Sequence, residues 1–153
     1  MLIATALPGD DEMRERIARH QVDRARRVPA LLGVEEPRDL AMALRQHSGA
    51  SRLIVIDCVT LWLTNLLMPM HGEPLPDDAL AAATAALIDA LRRAPGPVVI
   101  VSNEIGLGLT PLGPPTRRFV DELGRLHQRV AQACERVTLM VAGIEVPVKG
   151  SPR

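Results

Sequence analysis

Four polar clusters in this sequence have residue types and spacing suited to phosphate chemistry. In the charged stretch DDEMRERIARHQVDRARR (10–27), Arg16, His20 and Arg24 recur every four residues. On a helix that spacing puts all three on one face. An imidazole between two guanidiniums can accept a phosphoryl or nucleotidyl group while the arginines gather the phosphates. A solvated helix face has the same pattern. In RLIVID (52–57), four aliphatic residues end in Asp57. Such a run predicts a buried parallel strand that delivers a carboxylate to the sheet's carboxyl edge. There the carboxylate orders Mg²⁺ beside phosphates, or it caps the helix that follows.

A third cluster, Ser102-Asn103-Glu104, follows the apolar run VVIV (98–101). Ligands of open α/β sheets bind just outside the carboxyl ends of strands, so Asp57 and residues 102–104 are expected to face one crevice. Glu104 or Asn103 would orient a water, a hydroxyl or a phosphate there. The fourth cluster is glycine: Gly106, Gly108 and Gly113 lie in NEIGLGLTPLGPP (103–115). Position 111 is proline, so the dinucleotide pattern G-x-G-x-x-G is not met. An active-site loop and a plain surface turn both fit.

A phosphate-cradling P-loop needs G-x-x-x-x-G-K-[ST]. The chain's one lysine is Lys149, in VKG, with no glycine before it and no hydroxyl residue after it, so the motif is absent. His47, His71 and His127 have no matching partners in the pattern and read as surface residues.

The elements that must position these groups alternate between apolar runs and amphipathic stretches, which predicts an α/β fold with a mostly parallel sheet in a single domain, 1–153. Strands are expected at 2–6, 52–57, 98–102 and 137–142, the last completing the sheet. Helices are expected at 10–27 with Asp10 or Asp11 as N-cap, from Pro37 through 38–47, over VTLWLTNLL (59–67), at 77–94 and at about 116–134. Residues 28–36 read as a loop or short strand and 68–76 as a surface loop; the tail 144–153 reads as an edge strand that then frays. Arg117, Arg118 and Asp121 are placed to pair locally or to meet a neighbouring subunit.

At 153 residues, 47% hydrophobic and 24% charged, the chain can bury a proper core. A net charge of zero gives no electrostatic case for nucleic acid or a membrane surface as main partner. No apolar run approaches the ~20 residues of a membrane span, and MLIATALPGDDEM has no basic n-region of a secretory signal. The expected setting is therefore cytoplasmic, with Cys58 and Cys134 as buried, reduced thiols.

In order, IATA, DDEMRERIARH, VEEP, LIVIDCVTLWLTNLL, VSNEIGLGLTP and RRFVDELGRLHQRVAQACERVTLMVAG closely resemble the adenosylcobinamide kinase/adenosylcobinamide-phosphate guanylyltransferase family, over roughly residues 3–148. That resemblance implies two activities in cobalamin biosynthesis. One phosphorylates adenosylcobinamide with ATP or GTP. The other transfers GMP from GTP to adenosylcobinamide phosphate through a histidine–GMP intermediate. It further implies a RecA-like P-loop sheet, Mg²⁺, a homotrimer, and His20 as the GMP-accepting residue. Arg16 and Arg24 would bind phosphates, Asp57 would meet Mg²⁺, and Ser102, Asn103, Glu104, Gly106 and Gly108 would form the nucleotide-site loop.

The family's pattern is not matched everywhere. Its members carry a strand, a P-loop ending G-K-S and a helix before the IATA strand, a unit of roughly 30 residues. The expectation here is a sheet lacking that first strand, with open edges, weaker nucleotide binding and a kinase half impaired more than the guanylyl-transfer half. Family members also carry R-P…W after the histidine, where this chain has DRARRVPALLG without tryptophan. A P-loop-less remnant that binds corrinoid, or assembles with a complete paralogue, is the alternative reading.

Overall fold

The computed structural model describes residues 1–108 and 111–150. Leu109 and Thr110 of the glycine-rich stretch, and residues 151–153 of the tail, lie outside the described residues. The α/β expectation is met by a four-stranded parallel sheet of order β2-β1-β3-β4, formed by β1 (Leu2–Ala4), β2 (Gly33–Glu35), β3 (Ile54–Asp57) and β4 (Val98–Val101). Among the described residues five helices accompany it: α1 (Asp11–Arg27), α2 (Leu40–His47), α3 (Val59–Leu67), α4 (Asp77–Arg93) and α5 (Pro114–Ala133).

The register aligns Ala4 and Asp57 on neighbouring strands, and Asp57 with Val101 on the next. The carboxyl ends of β1, β3 and β4 therefore finish level, and the polar residues that follow each strand meet at one edge. One face of the sheet carries the core. Ile3, Ile54 and Ile56 are fully buried against Leu40, Leu44, Trp62, Leu63, Leu87 and Leu123 from α2 to α5. The continuous apolar run LIVI predicts burial on both faces, but burial alternates along β3. On the neighbouring edge strand Val99 and Val101 remain 48% and 41% exposed, because they point to the face without that helical cover.

Helices α1 and α2 start where an aspartate provides a cap. Asp10 is the N-cap of α1 and accepts from the Met13 amide at 2.7 Å. The second helix begins at Leu40 rather than near Pro37, because Asp39 takes the N-cap and accepts from the Met42 amide. Glu36 Oε1 meanwhile accepts from the amides of Arg38 and Asp39. Helix α1 contributes no buried residue.

The largest correction concerns the fourth expected strand. Val137–Val141 (β5) does not join the main sheet; it pairs antiparallel with β6 (Ile144–Lys149) in a separate hairpin. Its two-residue turn has Ala142 and Gly143 at φ of 52° and 79°, the doubly positive geometry that matches strand twist in tight hairpins. That local pairing satisfies the β5 backbone without the sheet. Lys149, the single lysine, serves the structure: its Nζ donates to the carbonyls of Ala131 and Cys134 at 2.7 and 2.6 Å, which closes the exposed end of α5. Cys58 and Cys134 are both free thiols, the first buried and the second only half-buried. Burial, reinforced by Glu135, raises the pKa of Cys134 against the opposing effect of Lys149.

Just before β4, Gly96 packs on the Gly49–Arg52 bridge so closely that a Cβ would fall 2.1 Å from the Gly49 carbonyl oxygen. The obstructing atoms are backbone and cannot turn aside. Gly96→Ala is expected to destabilise the fold by about 1–3 kcal/mol, read as a lower urea midpoint. An unchanged midpoint would mean that this approach of β4 to the β3 entry is absent in solution.

Candidate functional site

Thr5 follows β1 directly, is fully buried, and ties two strand ends together. Its hydroxyl donates to the Cys58 carbonyl at 2.7 Å and accepts from the Cys58 amide at 2.9 Å. Asn65 of α3 donates to the carbonyls of Thr5 and Pro37. Arg38 donates to the Asn65 carbonyl, and the Trp62 indole donates to the Arg38 carbonyl. Together these bonds fix the backbone on either side of Asp57, leaving its side chain half-exposed at the edge.

Helix α1 reaches that edge through its C-terminal half. Arg24 Nη1 lies 3.9 Å from Asp57 Oδ2, and Gln21 Nε2 donates to Glu35 Oε1, at the end of β2, at 3.3 Å. His20 and Arg16 lie one and two turns earlier on the same helix, both exposed. The structure thus brings Arg24 to Asp57, a contact the sequence pattern did not name, and sets the C-terminal half of the His20 helix beside the strand ends. It records no direct partner for His20 or Arg16 among the described residues.

The strand-end residues after β4 form a second, tighter group, and here His127 departs from the expected surface role. Its Nε2 is 2.6 Å from Ser102 Oγ and its Nδ1 is 3.5 Å from Glu104 Oε2, with the imidazole only 25% exposed. Ser102 Oγ is also 3.0 Å from Thr60 Oγ1, which accepts from the Asn103 amide at 2.8 Å. Glu104 Oε1 accepts from the Gly106 amide at 2.6 Å. Gly108 lies in the same exposed turn without a place in this network. Thr60, Asn65, Thr5 and His127 were not singled out by the sequence, although hydroxyl and amide groups inside the otherwise apolar helix VTLWLTNLL were a readable signal.

The remaining candidates lie elsewhere. Arg118 pairs with Asp77 at 2.7 Å and donates to the Leu75 carbonyl, so its partner is 41 residues away rather than local. Arg117 donates to the Pro111 and Leu112 carbonyls.

Among the described residues no cluster of three His, Cys, Asp or Glu side chains could form a closed metal cage. Asp57 alone, half-exposed and beside a cation, fits the other way of holding Mg²⁺: one protein carboxylate together with substrate phosphates. The level strand ends, one carboxylate, a nearby helix rich in arginine and a hydrogen-bonded Ser–Asn–Glu turn are parts that a phosphoryl- or nucleotidyl-transfer site can use.

Residues 1–148 match the family model described as "Cobinamide kinase / cobinamide phosphate guanyltransferase". Among curated proteins, the chain is 50% identical over 150 residues to the bifunctional adenosylcobalamin biosynthesis protein CobP of Pseudomonas aeruginosa, covering 98% of this chain and 82% of that one. It is 34% identical over 157 residues to the bifunctional protein CobU of Escherichia coli, and 36% identical over 158 residues to CobU of Salmonella typhimurium. Each of those two alignments covers 97% of this chain and 85% of the relative. With all but its last few residues matched, the chain belongs to the cobinamide kinase / cobinamide phosphate guanyltransferase family.

Proposed function

We propose that this chain acts in cobalamin biosynthesis, phosphorylating adenosylcobinamide with ATP or GTP and transferring GMP from GTP to adenosylcobinamide phosphate by way of His20. Family membership supports the substrates. The observation that carries the site is the Arg24–Asp57 approach of 3.9 Å, which sets the His20 helix against the carboxyl ends of the strands.

In the first half of the transfer an imidazole nitrogen of His20 attacks the α-phosphorus of GTP. A P–N bond forms, the bond to the bridging oxygen breaks, and pyrophosphate leaves. In the second half a phosphate oxygen of adenosylcobinamide phosphate attacks the same phosphorus, the P–N bond breaks, and adenosylcobinamide-GDP is released. Arg16 and Arg24 offset the charge that accumulates on the phosphoryl oxygens during each attack. Asp57 would hold a Mg²⁺ that arrives with the triphosphate and spreads its negative charge. Ser102, Asn103 and Glu104, with the turn at Gly106 and Gly108, form the opposite wall of the site and orient nucleotide or acceptor.

A homotrimer and a cytoplasmic setting belong to the same reading. Helix α1 has no buried residue, and Val22 and Val28 near its C-terminal end are each 50% exposed, which offers apolar surface to a neighbouring copy. No described helix is long and apolar enough to cross a membrane.

Two measurements test this reading. Intact-mass spectrometry after incubation with GTP and Mg²⁺ is expected to show an acid-labile gain of one GMP, absent from His20→Ala. A covalent adduct that persists in His20→Ala would sink the assignment. For Asp57→Asn, the Mg²⁺ concentration giving half-maximal GMP transfer is expected to rise roughly tenfold. Equal Mg²⁺ dependence in Asp57→Asn and wild type would remove Asp57 from the metal site.

A further inference from the structure

His127 sits on α5, 25 residues from Ser102, yet closes a hydrogen-bonded circuit around the turn that follows β4. The carboxylate of Glu104 can only accept, and it sets the direction of that circuit. Its Oε1 accepts from the Gly106 amide, and its Oε2 faces His127 Nδ1 at 3.5 Å, a place for an N–H rather than a lone pair. A neutral imidazole with its proton on Nδ1 presents Nε2 as an acceptor, and the Ser102 hydroxyl, 2.6 Å away, is its donor. Ser102 Oγ is in turn 3.0 Å from Thr60 Oγ1, which accepts from the Asn103 amide at 2.8 Å. The circuit thus begins at the amide of residue 103 and ends on the side chain of residue 104.

We propose that His127, as the Nδ1–H tautomer, is a positioning residue for Glu104, holding its carboxylate at the β4 carboxyl edge for GMP transfer. The proposal rests on the transferase reading above. Glu104 is 40% exposed and would otherwise be free to swing into solvent. The Gly106 amide fixes one of its oxygens, and the imidazole supplies the second point that sets the carboxylate plane. Glycine at 106 is part of the arrangement, because a Cβ there would lie 2.9 Å from Glu104 Oε1. The 3.5 Å gap is long for a finished hydrogen bond, as catalytic contacts often are before a ligand binds. Thr60 and His127 reach the turn from α3 and α5, two helices that pack on each other in the core, so the turn inherits its place from the core.

The two sides of the imidazole can be separated by substitution. The amide nitrogen of asparagine reaches the place of Nδ1 and preserves the donor to Glu104. The amide oxygen of glutamine reaches the place of Nε2 and preserves only the acceptor for Ser102. In GMP transfer to adenosylcobinamide phosphate, His127→Ala and His127→Gln are expected to lower kcat/KM roughly ten- to hundredfold, and His127→Asn to recover most of that loss. A His127→Ala enzyme as active as wild type, or recovery by Gln and not by Asn, would overturn the proposal. Nitrogen-15 spectra of the unsubstituted protein provide a readout independent of any variant's folding. They are expected to show a protonated Nδ1 and an unprotonated Nε2 for His127, and the opposite tautomer would overturn the assignment. Failure of the wild type itself to take up GMP would be a failure of the transferase reading. An adduct-forming wild type alongside a fully active His127→Ala would be a failure of the positioning role alone.

Discussion

The rest of the structure depends on the two hydrogen bonds between the Thr5 hydroxyl and the backbone of Cys58. Parallel strands leave their terminal carbonyls and amides without ladder partners, and a buried group left without one costs about 1–3 kcal/mol. Here one side chain both donates and accepts, satisfying the amide and the carbonyl of the residue after β3 from the residue after β1. The Thr5 amide extends the junction by donating to the Asp57 carbonyl at 3.0 Å. The strand ends are therefore locked level at the place where an exposed carboxylate has to point outward. Asn65, near the end of α3, makes the same lock from the helix side, so α3 cannot slide without releasing Thr5.

From that lock the site is built outward in layers of decreasing burial. Thr5 is fully buried, Thr60 nearly so, His127 about one-quarter exposed and Glu104 two-fifths exposed. Glu104 faces His127, His127 bonds Ser102 and Ser102 bonds Thr60, which lets an exposed carboxylate have a defined position without burying a charge. The other wall is different in kind. Helix α1 has no fully buried side chain and meets the sheet edge through Arg24 and Gln21. Order at this site comes from the β3–β4 side, and α1 brings the charged groups to it.

The parts of this arrangement that were legible in the sequence are the local ones. Helix α4 announces itself by two acids at its start, two arginines at its end and leucines on one face. Strand β3 announces itself by four aliphatic residues before Asp57. The placing of Asp57 and the 102–104 turn at one edge was legible because topology puts whatever follows a parallel strand there, whereas Arg24 stood out only by its helical spacing with Arg16 and His20, and its contact with Asp57 was not foreseen. His127 was not, because its partners are 25 and 23 residues away and the amphipathic pattern of α5 assigns it only a flank position. The hairpin of β5 and β6 was misread for a related reason. A five-residue stretch as apolar as VTLMV fits a buried sheet strand as well as a hairpin arm, and Ala142 does not advertise a positive φ as asparagine or glycine would.

Net charge, which gave no electrostatic case for a nucleic-acid partner, carries no information about the candidate phosphate site, because the charges are sorted rather than absent. Along α1 the acids Asp11 and Glu12 occupy the first turn, and Arg24, Arg26 and Arg27 the last. Both groups oppose the helix dipole favourably, and the result is a cationic end laid beside Asp57. The Arg24–Asp57 contact at 3.9 Å, with the two side chains 30% and 47% exposed, is of the class worth about 0–1 kcal/mol. On the proposed reading a pair held so weakly would be easily parted by a Mg–triphosphate, the carboxylate turning to the metal and the guanidinium to the phosphates. Each group would then exchange one opposite charge for another, so that ligand binding would leave neither charge unpaired.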